Sequence, residues 1–468
     1  MIVLVNPRYR ISFQPPLGPA YLAAYLKKHG CDDVLIIDTT FEELDERLAR
    51  IARPSLFGLY IMTPYLSGAS WTIRRLKEKF PGVVIVAGGP HPTVQPDDVI
   101  TRIGVDVCVR GEAEQTFLEL VKAIQNAADL SRIRGISYMD PAGSKLVHAP
   151  RREPIANLDD LPFPARGLLP MARYLRGGTQ KTFSYKNIRA TTMIASRGCP
   201  FGCTYCKPAL DLIFGKGVRY RSVANVAEEI SQLICDYSVR GIFFVDDTFT
   251  CRKSFTMEFC DEVLSRGFDV QFAINSRVDT VNEQMLAALK KAGVVTIMYG
   301  IESGSQTVLD NLKKGITVEQ IRDTVTATKN MGINVYGYFM IGSPDESASS
   351  LKETFNLVRA LPFDEVQFSM AAPYAGTHLH DEAMSAGLVE YPPAMEAGGY
   401  FSSVVMKSRH LSAGKIRKFH RRLDLYSKYK SLKNLVLRHP LAIPHLLLNR
   451  VFSMQPGRSR RARRQLRL

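Results

Sequence analysis

No apolar run in this 468-residue chain reaches the roughly 18 residues that cross a bilayer, so no membrane-spanning helix is expected. The first residues lack the basic stretch and long apolar core of a secretory leader. Eight cysteines in a chain this long do not read as a disulfide framework. A reducing cytoplasm is the compartment these absences favour. The dinucleotide fingerprint GxGxxG is missing, which removes the main sequence argument for a dinucleotide ligand. Basic residues crowd one region where acids are nearly absent. Residues 407–468 carry 18 Lys and Arg against a single acid, Asp424, while the remaining residues hold 43 basic and 44 acidic side chains. The net charge of +16 thus belongs to the tail. A high isoelectric point is no argument that the body binds nucleic acid.

What is present is a hydrophobic fraction of 46% beside 23% charged residues, the balance of a globular protein. The length suits two or three domains. The most informative run is Ser196-Arg197-Gly198-Cys199-Pro200-Phe201-Gly202-Cys203-Thr204-Tyr205-Cys206. Its C-x3-C-x2-C spacing puts three thiolates on one loop, enough for three irons of a [4Fe–4S] cluster with the fourth left open. Zinc prefers four ligands, commonly as two C-x2-C pairs, and no second pair follows. Cys235, Cys251 and Cys260 read as ordinary buried thiols.

The spacing resembles the signature of the radical S-adenosylmethionine (SAM) superfamily. The resemblance implies that the amino and carboxylate groups of SAM chelate the open iron. An electron, from a donor such as flavodoxin or ferredoxin, then cleaves SAM to a 5′-deoxyadenosyl radical. Cys199, Cys203 and Cys206 would be the catalytic metal ligands.

The surrounding pattern suits that fold. Strand-like runs at Thr192–Ala195, Ile242–Val245, Val270–Ile274, Thr296–Gly300, Val335–Ile341 and Glu365–Met370 alternate with helical stretches. Six βα units over 188–385 predict a partial (β/α)6 TIM-type barrel, with ligands at the C-terminal strand ends. Glu302 can accept hydrogen bonds from the SAM amino group and Arg277 can bind its carboxylate. Ser276 can reach a ribose hydroxyl or the carboxylate, and Gly300 allows close backbone approach. In the superfamily, Gly300-Ile301-Glu302-Ser303 matches the motif that holds the amino group. Phe339 to Gly342, with Ile341, matches the segment along adenine, and Tyr205 matches an aromatic beside it. Asp246 and Asp247 can meet substrate, cap a helix or close an ion pair.

Residues 1–140 alternate apolar strands with helices, which predicts a Rossmann-like, doubly wound parallel sheet. Loops rich in Gly and Pro follow the strands and should line a crevice. They contain Pro16 and Gly18, Gly88, Gly89 and His91, and Gly111 and Glu112. The runs PPLGPAYLAAYLKKHG, VVIVAGGPHPTV and VRGEAEQTFLEL resemble the cobalamin-binding domain fused to many radical SAM enzymes. The D-x-H-x-x-G motif that supplies a lower cobalt ligand in many of them is absent. His91 is the one histidine in a loop of this type.

Residues 141–187 read as a Pro-rich linker. Residues 386–468 leave the βα pattern and predict a small, helical, basic region. Lys415–Tyr429 has an apolar face of Ile416, Phe419, Leu423 and Tyr426, followed by Leu435–Leu448 and an Arg-rich end. A helical cap on the barrel and contact with a membrane surface both suit this segment. Nucleic acid suits it less, because few aromatics are placed for base stacking.

The reading is therefore an α/β enzyme with a [4Fe–4S] cluster, SAM and cobalamin. The resemblance implies that cobalamin relays a methyl group from one SAM while a second is cleaved, methylating an unactivated carbon of a small or lipophilic metabolite. A lipid, isoprenoid or tetrapyrrole fits a cytoplasmic enzyme that touches the inner membrane surface. The rivals are an oxidative cyclase or ring-rearranging enzyme, an enzyme without cobalamin, and a non-catalytic metal-binding module.

Overall fold

The structure is a computed structural model in which residues 1–7, 14–140, 142–176, 188–390 and 406–438 are described. The first sheet runs β2-β1-β3-β4-β5-β6-β7, from β1 (Ile2–Asn6), β2 (Val34–Asp38), β3 (Leu56–Tyr60), β4 (Val84–Gly88), β5 (Val107–Val109), β6 (Ile136–Met139) and β7 (Leu146–His148). The first five strands pair in parallel. Alternate residues of β1 point to opposite faces. Ile2 and Leu4 join one buried cluster, while Val3 and Val5 join another. A strand apolar on both faces has to be covered on both, so helices pack above and below. The last two strands form an antiparallel pair that the linker reading did not foresee. Asp140 tightens their turn, its Oδ1 accepting from Ser144 N at 2.7 Å. The sheet thus extends past residue 140.

The second sheet runs β15-β14-β13-β12-β11-β8, all parallel and in sequence order. Its strands are β8 (Ala190–Met193), β11 (Gly241–Phe244), β12 (Gln271–Ser276), β13 (Val294–Glu302), β14 (Asn334–Ile341) and β15 (Glu365–Met370). Five successive strands give one residue each to a small inner layer: Ala190, Phe243, Ala273, Met298 and Tyr336. Their neighbours in sequence face outward to the helices. β8 and β15 do not pair, so the barrel stays open. A short hairpin, β9 (Ser196–Cys199) with β10 (Gly217–Tyr220), rises from its mouth.

Two devices hold these parts together. Arg166 in the linker and Arg221 after the hairpin both grip the buried carboxylate of Glu229. Helix Ala413–Arg438 packs along β15, with Ile416 and Leu423 buried and Phe419 and Tyr426 partly so. His420 Nε2 lies 2.9 Å from Phe368 O, and Ser427 Oγ donates to Val366 O at 2.5 Å. An edge strand is thereby covered by a helix. The stretch Leu435–Leu448 expected to follow, and the Arg-rich end, lie outside the described residues, apart from the helix backbone to Arg438.

Candidate active site

The cluster loop begins where β9 ends, on Cys199. Gly198 has φ +88°, and a Cβ there would lie 2.5 Å from Gly217 O, so the hairpin needs glycine at this position. The loop then folds back on itself. Cys206 N and Lys207 N both donate to Cys203 O, and Lys207 Nζ donates to Cys199 O at 2.8 Å. All three thiols are free of disulfides. Burial pushes Cys199 and Cys206 above the ordinary thiol range, and the neighbouring Cys203 adds to both shifts. Mutual repulsion of this kind is relieved when a metal takes the thiolates. Among the described residues no three His, Cys, Asp or Glu side chains converge as a single-ion site would require. A cubane offers three separate irons, so its thiolates need not share one point. The free thiols on one closed loop fit the cluster.

Across the barrel mouth, β13 carries a register break between Gly300 and Glu302. Glu302 itself takes φ +68°, unusual for a residue other than glycine. That turn aims its carboxylate at Tyr205 and Lys314. Oε1 accepts from Tyr205 Oη and from Lys314 Nζ, each at 2.9 Å. A Cβ on residue 300 would sit 3.0 Å from both Glu302 Oε1 and Lys314 Nζ, which accounts for Gly300. Lys314 was not singled out from the sequence, where it is one of two adjacent lysines before a glycine. An ammonium and carboxylate held together suit the two charged ends of an amino acid.

The other residues expected at SAM have protein neighbours in this structure. Ser276 Oγ is buried and shares hydrogen bonds with Thr250 Oγ1 at 2.6 Å and Thr280 Oγ1 at 3.4 Å. Ser303 Oγ meets Thr354 Oγ1 at 3.1 Å, inside the following turn. Ile341 is packed in the core. Arg277 binds Asp279 through Nε and Nη2 and Lys314 O through Nη2, rather than an open space.

A cavity of about 630 Å³ separates the first domain from the barrel. Pro16, Gly18, Gly88, Gly89, Gly111 and Glu112 line it on one side, and Arg197, Gly198, Asp246 and Asp247 on the other. His91 is outside the lining. The helical turn Pro90–Val94 swings its ring back to Thr63 Oγ1, 3.1 Å from Nδ1, and to Asp98 Oδ2, 3.7 Å from Nε2. Burial lowers its pKa, with Asp98 opposing. The ring is thus turned away from the cavity, with Nδ1 bonded to Thr63 and Nε2 without a hydrogen-bond partner among the described residues. The glycines fit a broad, flat group: a Cβ on Gly88 would meet nothing nearer than 3.9 Å, whereas Gly89, at φ +109°, is held to glycine by Ile61 O, 2.9 Å from where its Cβ would lie.

Glu112 lines the cavity but is not free. Its carboxylate accepts from Arg197 Nη1 at 2.8 Å, Arg219 Nη2 at 2.9 Å and Ile155 N at 2.7 Å. Glu114 Oε1 takes the other end of Arg197 at 2.6 Å. Two acids of the first domain thus clamp two arginines of the cluster hairpin, a partnership between residues too distant in sequence to read. Asp246 accepts from Ala195 N and Ser196 Oγ, and burial pushes its carboxyl up to about 6. Asp247 faces the cavity without a side-chain partner among the described residues.

Fold and site together define an enzyme that generates a radical from SAM beside a corrin-binding domain. A model of the radical SAM superfamily matches residues 193–358, and one of the B12 binding domain matches residues 11–121. The chain is 35% identical over 433 residues to the uncharacterized methyltransferase PH0819 of Pyrococcus horikoshii, spanning 91% of this chain and 90% of that one. It is 32% identical to an anaerobic magnesium-protoporphyrin IX monomethyl ester cyclase of Rubrivivax gelatinosus, over 79% of this chain and 66% of the relative. The fold is similar to the radical SAM methyltransferase TsrM of Kitasatospora setae, with TM-score 0.67, 19% identity, and 84% and 77% of the two chains covered. This chain belongs to the cobalamin-binding-domain-containing radical SAM superfamily. Its cofactors are a [4Fe–4S] cluster, SAM and cobalamin.

Proposed function

We propose that this enzyme methylates an unactivated carbon of a small, lipophilic metabolite. One observation carries the reading: the glycine-rich loops of the corrin domain and the hairpin bearing Cys199 face a single cavity. When bound, the cluster supplies the electron that cleaves SAM, and cobalamin serves as the methyl carrier. The chain's own residues position and enclose. Cys199, Cys203 and Cys206 hold the cluster. Glu302 takes the SAM ammonium and Lys314 its carboxylate, exchanging each other for the ligand, while Tyr205 keeps Glu302 in place. The Glu112–Arg197 clamp fixes the distance between the two cofactor sites. The electron arrives from a reduced flavodoxin or ferredoxin.

The test is anaerobic turnover of reconstituted protein with methyl-labelled SAM and a lipid extract from the source cell. Methylation yields S-adenosylhomocysteine and 5′-deoxyadenosine together, and a product heavier by one methylene. 5′-Deoxyadenosine with no label in any product sinks it. That outcome favours the second reading, an oxidative cyclase of a tetrapyrrole-like ring, which the similarity to the Rubrivivax gelatinosus cyclase supports.

A lipophilic substrate agrees with the surface of the C-terminal helix. Leu425, Tyr429 and Leu432 are exposed there, at helical spacing, among Arg421, Arg422, Lys428 and Lys433. Among the described residues no helix is long and apolar enough to cross a membrane. The proposed contact is peripheral, with an anionic membrane surface. Replacing the three exposed residues by serine should reduce sedimentation with phosphatidylserine vesicles. Equal sedimentation rules out this face.

A further inference from the structure

Arg277 sits at the end of β12, where a guanidinium is expected to meet the SAM carboxylate. Its surroundings leave it little freedom to do so. The side chain is buried. Nε and Nη2 hold the two carboxylate oxygens of Asp279 at 2.9 and 2.8 Å, and Nη2 also donates to Lys314 O at 2.6 Å. The planar face lies on the ring of Phe201, with Cζ 3.7 Å from the centroid. The remaining nitrogen, Nη1, points at Cys203 Sγ, 3.7 Å away. Every polar edge and one face are therefore engaged. Two of these contacts, Phe201 and Cys203, are on the cluster loop itself. Leaving for a carboxylate would break a bidentate pair and strand Asp279.

We infer that Arg277 is a positioning residue for the cluster, setting its reduction potential through the Cys203 thiolate, and is not the SAM carboxylate clamp. The inference rests on the reading that Cys199, Cys203 and Cys206 hold a [4Fe–4S] cluster. An N–H donated to a ligand sulfur draws electron density from it, and a fixed positive charge favours the more negative, reduced cluster. Both effects raise the potential. Asp279 partly cancels the charge. Through Lys314 O the same guanidinium anchors the chain beside the lysine that meets Glu302, so one residue ties the cluster loop to the SAM pocket.

The experiment is a potentiometric titration of the reconstituted full chain, followed by electron paramagnetic resonance without SAM, with iron and sulfide measured on each sample. Arg277→Gln should make the midpoint more negative. Arg277→Lys, which keeps the charge and loses the fork, should fall between it and the native protein. Asp279→Asn should move the midpoint the opposite way. The SAM dissociation constant of Arg277→Gln should change by less than the tenfold that loss of a direct clamp costs, about 1.4 kcal/mol. An unchanged midpoint in Arg277→Gln at full iron content overturns the inference, as does a tenfold or greater loss of SAM affinity. Should Arg277→Gln fail to take up iron, the other two variants decide, and unchanged midpoints in both overturn it. A native protein that assembles no [4Fe–4S] signal counts against the cluster reading instead.

Discussion

The two walls of the cavity are built from different materials. The first domain contributes apolar and aromatic side chains such as Leu59, Tyr60 and Val86 and the glycines Gly18, Gly88, Gly89 and Gly111, with a carboxylate already clamped. The barrel contributes charge: Arg197, Asp246 and Asp247 on the cavity, and Glu302, Lys314 and Arg277 around the cluster loop. The difference matches what each must hold. A large, nearly flat ligand needs area and close approach, which glycine gives by leaving space. A small zwitterion needs fixed opposite charges, which cost free energy when buried unless they are paired beforehand. Hence Glu302 and Lys314 wait as a pair. On the proposed reading, ligand binding on the barrel side is an exchange of partners, whereas on the corrin side it is the filling of a space.

The sharpest way to separate the walls is to remove one without the other. Cys203→Ala should abolish 5′-deoxyadenosine formation while the protein still takes up hydroxocobalamin, as followed by visible absorbance. Loss of both together would mean that the walls are not independent. Next in size, Glu302→Gln should weaken SAM binding about 10- to 100-fold, since a hydrogen bond to a charged group contributes about 1.5–3 kcal/mol. Calorimetric titration that finds less than a threefold change would remove Glu302 from the pocket.

Gly88 and Gly89 test whether space is what the corrin wall supplies. A Cβ on Gly88 meets nothing nearer than 3.9 Å, so Gly88→Val should leave the melting temperature intact. It should lower hydroxocobalamin affinity about tenfold, in line with overpacking costs of about 1–3 kcal/mol. Gly89→Ala should instead destabilise the fold by about 1–3 kcal/mol, because φ is +109° and the Cβ would lie 2.9 Å from Ile61 O. The same outcome for both variants would erase the distinction.

The last effect concerns stability alone and belongs to Asp246, whose carboxyl rises from 3.8 to about 6 through burial. A raised pKa means that the folded state holds the proton more tightly. The contribution to stability is complete below 3.8 and is lost as pH climbs to about 6. Urea unfolding should show native stability falling over that window by at most about 3 kcal/mol relative to Asp246→Asn. Parallel pH profiles for the two proteins would rule out the assignment.

Long apolar runs made the five parallel strands of the first sheet and the six of the barrel legible in sequence, and strand ends flagged Glu302. β7 and β10 escaped notice because three or four residues with polar members carry no clear period. Partners were harder to read than positions. Arg277 stands where a strand-end arginine was expected, but Asp279, Phe201 and Cys203 decide what it touches. Lys314 reaches Glu302 only because the chain folds back after helix Gln306–Asn311. His91 sits in a loop of the kind that lines the crevice, but where its ring points is set by the helical turn Pro90–Val94 and by Thr63.

The clamp between Glu112, Glu114, Arg197 and Arg219 bears on how such enzymes can be recombined. A linker rich in proline invites a cut, with corrin domains traded between relatives as independent cassettes. Here the cassette boundary in sequence is not the boundary in charge. Two acids on one side are addressed to two arginines on the other, and the hairpin carrying those arginines also carries Cys199. A graft that moves residues 1–140 alone brings a foreign set of countercharges to the cluster loop. A graft that also moves residues 196–220 keeps the match.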